Sequence, residues 1–153
     1  MLEGMPRVGA KTSAFIHPLG IGLVSAPYVR HAFMQLLGSG VLETFPKLRV
    51  AFLEAGSEWV VGIASEVETR WHKKIGDLLG SRAFVSCKVS EDIPYLVKKL
   101  GKDFLITATD YPHGDFNRQD QLQGGLEQHD ELNSEIIGCI LEKNPARLYG
   151  GLG

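Results

Sequence analysis

Four side chains in this sequence are of the types that hold a divalent metal or move a proton, and they stand at the ends of short apolar runs. His17 closes the run Thr12-Ser13-Ala14-Phe15-Ile16, and Glu54 closes Arg49-Val50-Ala51-Phe52-Leu53. Asp110 follows Phe104-Leu105-Ile106-Thr107-Ala108, with His113 one short turn further on. A fourth run, Arg82 to Cys87, leads into Lys88. If the runs are neighbouring parallel strands, these side chains share the rim formed by the strands' C-terminal ends, where α/β folds collect their chemistry. Imidazole and carboxylate from separate strands suit a borderline or hard divalent metal. A metal held there activates water or polarises a carbonyl.

Each residue also has a plain structural reading. His17 precedes Pro18 and suits a strand end. Glu54 is placed to favour a helix start, and Asp110 to make an Asx turn before Tyr111-Pro112. The weight lies in their joint placement. His31, His72 and His129 fall in helical stretches without a partner pattern. Cys87 and Cys139 form no Cys-x-x-Cys pair and read as buried free thiols, which excludes a disulfide framework or zinc knuckle.

The elements that must position the rim follow from periodicity. Residues 1–12 read as an N-terminal loop and 13–153 as one domain. The runs at 12–16, 49–54, 82–87 and 104–108 read as strands, and residues 18–25, with Pro18, Gly20 and Gly22, as a loop. Apolar residues at steps of three and four predict a helix from Tyr28 to Phe45, which Gly38 and Gly40 weaken. A second helix is expected from Glu58 to about Gly76, with Ser57 as its cap. A third is expected up to Leu100, capped by Ser90 and stopped by Gly101. Helical pieces at 118–129 and 133–143 and a turn from Pro145 to Tyr149 complete the chain. Apolar strands alternating with helices are the pattern of a parallel sheet covered by helices.

Composition narrows the function classes. The chain has 153 residues, 44% of them hydrophobic, and a formal net charge of −2. That balance argues against nucleic acid or an anionic membrane as partner, since both ask for a concentrated basic face. No run approaches the ~18 apolar residues of a membrane span. No apolar leader is visible either, so a cytoplasmic protein acting on a small molecule is the expectation.

Three stretches resemble one family. Gly40 to Gly56, containing Phe45-Pro46-Lys47-Leu48-Arg49 and Phe52-Leu53-Glu54-Ala55-Gly56, is similar to the segment leading into strand six of the amidohydrolase-related barrels. These include aminocarboxymuconate semialdehyde decarboxylase and related decarboxylases and hydrolases. Thr109-Asp110-Tyr111-Pro112-His113-Gly114-Asp115 resembles the strand-eight motif. Asn144-Pro145-Ala146-Arg147-Leu148-Tyr149-Gly150 resembles the C-terminal signature. The resemblance implies an α/β fold, a partial (β/α)8 TIM barrel of about four βα units corresponding to strands five to eight. It implies His17 and Asp110 as metal ligands, with zinc the expected metal. Glu54 then stands where the decarboxylases carry a histidine near the activated water. The reference pKa of glutamate is roughly two units lower than that of histidine, which sets a different base. His113 is expected to orient the substrate.

The family's first strand carries a His-x-His or Asp-x-His ligand pair, and neither pattern occurs here. A complete barrel typically needs ~250 residues. The expectation is therefore a truncated metal-dependent hydrolase or decarboxylase for a small carboxylate-bearing substrate. The alternative is a non-catalytic half-barrel that pairs with a separate N-terminal half or self-associates, and a homo-oligomer is expected because a half-barrel leaves open edges. A flavodoxin-like domain lacks the glycine-rich loop it would need.

Overall fold

A computed structural model describes residues 18–79, 82–114 and 118–150, with side chains from residue 27 onward. The run at 12–16, His17 and Asp115 lie outside the described residues. Three strands, β1 (Val50–Phe52), β2 (Ala83–Ser86) and β3 (Leu105–Ile106), form a parallel sheet in the order β1-β2-β3. Val50 pairs with Ala83, and Val85 with Leu105. α1 (Pro18–Gly38) and α2 (Val41–Thr44) precede the sheet, and α3 (Trp59–Trp71), α4 (Ile75–Leu79) and α5 (Ile93–Leu100) separate its strands. After β3 come α6 (Leu122–Glu127), α7 (Ser134–Gly138), a π-helical turn (Cys139–Lys143) and α8 (Asn144–Tyr149). Ala83, Phe84 and Val85 are all fully buried, so β2 is covered on both faces, as the continuous apolar run requires. Phe33 of α1 meets Phe52 and Trp59 edge-on at 5.1 and 5.2 Å, which locks the first helix and α3 onto the sheet.

Several expected boundaries move, most for a local reason. Residues 18–25, expected as a loop, belong to α1. The single helix expected to Phe45 is divided at Gly38–Gly40, where Gly40 takes φ 68°, a conformation that favours glycine. The helix expected to Gly76 ends at Trp71, because His72 turns left-handed at φ 53°. Asp92, not Ser90, caps α5: its carboxylate accepts from Tyr95 N at 3.1 Å, with Pro94 in the first turn. Gly101 stops α5, as expected. The piece expected at 118–129 shortens to α6, and the turn expected from Pro145 is the helix α8, again with proline in the first turn.

The closing segment is held by one buried side chain. Asn144 is fully buried, and its Nδ2 donates to Lys102 O at 2.7 Å and Leu105 O at 2.6 Å. Its Oδ1 accepts from Arg147 Nη2 at 2.5 Å. Arg147 also donates to Asp103 O and lies over the Phe84 ring at 6.0 Å. The last helix is thereby fastened to both sides of β3's entry. Asn144→Ala leaves two interior carbonyls without donors, and the expected loss is about 2–4 kcal/mol in urea unfolding; a loss below ~1 kcal/mol would contradict this anchoring role.

Candidate functional site

Strand exits, not strands, carry the polar residues. β1 ends at Phe52, and Glu54 follows at φ 63°. β3 ends at Ile106, and Asp110 stands at φ 59°. Left-handed backbone is uncommon for residues other than glycine; aspartate takes it more readily than most, and glutamate lacks that local advantage. Such strain collects where a side chain must be aimed rather than merely accommodated. Here both turns bring their carboxylates over the same end of the sheet.

The structure brings Glu54, Asp110 and His113 together: one potential ligand atom from each lies within 4.8 Å of the others. His113 Nδ1 stands 3.1 Å from Asp110 Oδ1, and His113 N donates to Asp110 O at 2.9 Å. Tyr111-Pro112 between them is cis. The Asp110 side chain is 13% exposed, and its Oδ2 is buried without a hydrogen-bond partner. An acceptor in that position is costly unless a cation or proton completes it. Two carboxylates and an imidazole at this spacing are a donor set that fits a divalent metal, whose ligands about 2.1 Å from the ion stand roughly 3.4 Å apart in tetrahedral geometry. His17, the other expected ligand, lies outside the described residues.

The exits are braced from behind by two residues that the sequence did not mark as part of a site. Glu91 Oε1 accepts from Ser57 N at 2.7 Å and Glu58 N at 3.2 Å. Its Oε2 accepts from Ser57 Oγ at 2.9 Å and Lys88 N at 2.8 Å. Ser57, expected to cap α3, gives its hydroxyl to Glu91 instead, and α3 starts without a side-chain cap. A Cβ on Gly56 would sit 2.5 Å from Glu91 Oε1, so the close approach, as well as φ 64°, requires glycine there. Gln119 does the same between β2 and β3: its Oε1 accepts from Val89 N at 2.6 Å and its Nε2 donates to Ala108 O at 2.9 Å. Neither brace had a signal in the sequence beyond residue type, because apart from Lys88 the partners lie some thirty or ten positions away along the chain.

A cavity of about 80 Å³ opens at this end, lined by Glu54, Ser86, Lys88, Asp110 and Gln119 among others. Substrate pockets typically run to roughly 300–1,000 Å³, so this cavity alone is smaller than such a pocket. Cys87 lies beneath it, fully buried, and its Sγ donates to Ile106 O at 3.2 Å. Burial, then the nearby Glu91 charge, pushes its thiol up to about 12. It is a packing residue, as expected from the sequence. His129 is likewise structural, its Nε2 lying 2.8 Å from Val89 O.

Two outcomes check this account. Glu91→Gln places an amide NH2 where only acceptors fit, and the expected cost is about 2–3 kcal/mol in chemical denaturation; an unchanged midpoint would remove Glu91 as the brace. Cys87 should resist a thiol reagent in the native protein, with a thiolate fraction on the order of 10⁻⁴ at pH 8. Modification is expected only at the rate of unfolding, and rapid native labelling of Cys87 would refute its burial.

Comparison with known proteins places this arrangement. The chain is similar to the crystal structure of an amidohydrolase from Mycobacterium avium subsp. paratuberculosis K-10, with a TM-score of 0.58 at 19% identity. The match covers 74% of this chain and 31% of that one, so the chain spans under a third of that protein's length. No curated protein matches. The small parallel sheet with its helices corresponds to part of an amidohydrolase barrel. The sequence profile of the Amidohydrolase family matches residues 8–151, nearly the whole chain, and the chain belongs to that family.

Proposed function

We propose that this chain carries part of the active centre of a metal-dependent hydrolase acting on a small carboxylate-bearing substrate. The observation that carries the reading is the convergence of Glu54, Asp110 and His113, with Asp110 Oδ2 buried and unpartnered. Asp110 holds the metal, with His17 as the further ligand that the family resemblance implies; zinc suits the donor types. The metal supplies Lewis acidity to a water or to the substrate's carbonyl. Glu54, exposed at the rim, accepts the proton of the attacking water. His113, oriented through Nδ1 by Asp110, has its Nε2 available to a substrate oxygen. Decarboxylation is the second chemistry of the same site. Glu54 in the place of a histidine favours hydrolysis, because a carboxylate is the weaker base and suits a water already activated.

A second reading, a non-catalytic module that pairs with another copy or with a separate N-terminal half, draws on the sheet itself. Among the described residues β1 and β3 are both edge strands, and open edges seek partners. Metal analysis separates the two readings. The catalytic reading expects stoichiometric zinc in the purified chain, lost on Asp110→Ala and retained by Glu54→Gln. Absence of metal from every preparation, including one refolded with zinc, would sink it. Loss of zinc from Glu54→Gln would move Glu54 from base to ligand. For a hydrolysed substrate, Glu54→Gln is expected to slow turnover by about 100-fold or more while zinc stays bound.

A further inference from the structure

The opposite end of the sheet carries a second, chemically different cavity, independent of the function proposed above. Arg49 and Arg82 stand immediately before β1 and β2, and with Lys47, Arg147 and Gly150 they line a cavity of about 430 Å³. Among the described residues no aspartate or glutamate lines it. The nearest paired acid is Asp103, whose Oδ1 lies 3.6 Å from Arg147 Nη2. Gathering four cations here is notable in a chain whose net charge is −2. Like charges this close repel, and neither packing nor capping asks for all four.

The four differ in how they are held. Arg82 donates to Leu42 O, and Arg147 is fixed by Asp103 O and Asn144 Oδ1, so two guanidiniums are pre-positioned by the fold. Arg147 Nε is buried and has no hydrogen-bond partner. Lys47 and Arg49 have no hydrogen-bond or ion-pair partner among the described residues. Arg49 passes close over Gly150, its Nη1 3.4 Å from where a Cβ would stand; a side chain at Gly150 would crowd it. Two fixed guanidiniums beside two unpaired cations are an arrangement that matches the several oxygens of a phosphate group. The volume is within the range of small-ligand sites.

We propose that this cavity binds a small, multiply charged, phosphate-bearing anion, at the end of the sheet remote from Glu54 and Asp110. A nucleic acid would require a longer basic track than these four residues make. The test is isothermal titration of the full chain with inorganic pyrophosphate at low ionic strength, with chloride and inorganic phosphate as comparators. The expected result is saturable single-site binding with a Kd below about 1 mM, tighter for pyrophosphate than for phosphate. Lys47→Ala combined with Arg49→Ala is expected to weaken it by about tenfold or more with an unchanged melting curve, since neither side chain has a partner to lose. Arg49→Lys with Lys47 intact should restore part of the affinity. Absence of saturable binding, equal response to chloride, or undiminished binding by the double variant would each overturn the proposal. Binding of an oligonucleotide that pyrophosphate fails to displace would overturn it in favour of a nucleic-acid surface.

Discussion

The Glu91 carboxylate is the fixed point around which the polar end of this sheet is arranged. Its two oxygens accept from Ser57 N, Ser57 Oγ, Glu58 N and Lys88 N, so one side chain ties the exit of β1 to the exit of β2. Short parallel strands contribute few ladder bonds, and a three-residue strand such as β1 has little else to set the direction of the chain that leaves it. With the exit tied, the chain at Glu54 must turn left-handed before reaching Gly56, and the carboxylate is delivered to the rim. A charged acceptor shared among backbone donors makes stronger bonds than neutral pairs do. Burial, and then the same charge, raises the thiol of Cys87.

Gln119 repeats the device one strand further along, bridging Val89 N and Ala108 O. The two braces hold three strand exits in register while leaving Glu54, Asp110 and His113 on the outer side. Asp110 combines a left-handed backbone, a nearly buried carboxylate and an oxygen with no donor. Folding alone does not favour any of the three. Their coincidence at the end where α/β folds do chemistry is what gives the centre its functional reading.

The two ends of the sheet differ in charge. Carboxylates gather after the strands; Lys47, Arg49 and Arg82 gather before them. The far end is also where α8 is fastened, through Asn144 and Arg147, to the entry of β3. The family's C-terminal signature thus has a mechanical meaning here: asparagine satisfies interior carbonyls, and arginine covers Phe84 while keeping its charge toward the basic cavity.

The sequence by itself determined the class of fold, the chemistry-bearing residue types and the family. Apolar runs bounded by helical periodicity are local signals, and the runs at 49–54, 82–87 and 104–108 hold β1, β2 and β3 in the described residues. The motif around Asp110 and the Asn144–Gly150 segment were readable because residue identity at fixed spacing survives without structure. Boundaries were less readable: the segment from Pro145 reads as a turn, yet the first turn of a helix tolerates proline, and α8 runs through it. The shared rim of Glu54 and Asp110, with His113 one turn further on, was expected from the strand ends; only the tertiary structure decided that Ser57 serves Glu91 rather than α3, and that cations distant in sequence share a cavity. Those facts depend on contacts between strand exits far apart along the chain. Ser57 and Glu91 stand 34 positions apart, so their pairing depends on how the sheet brings distant strand ends together.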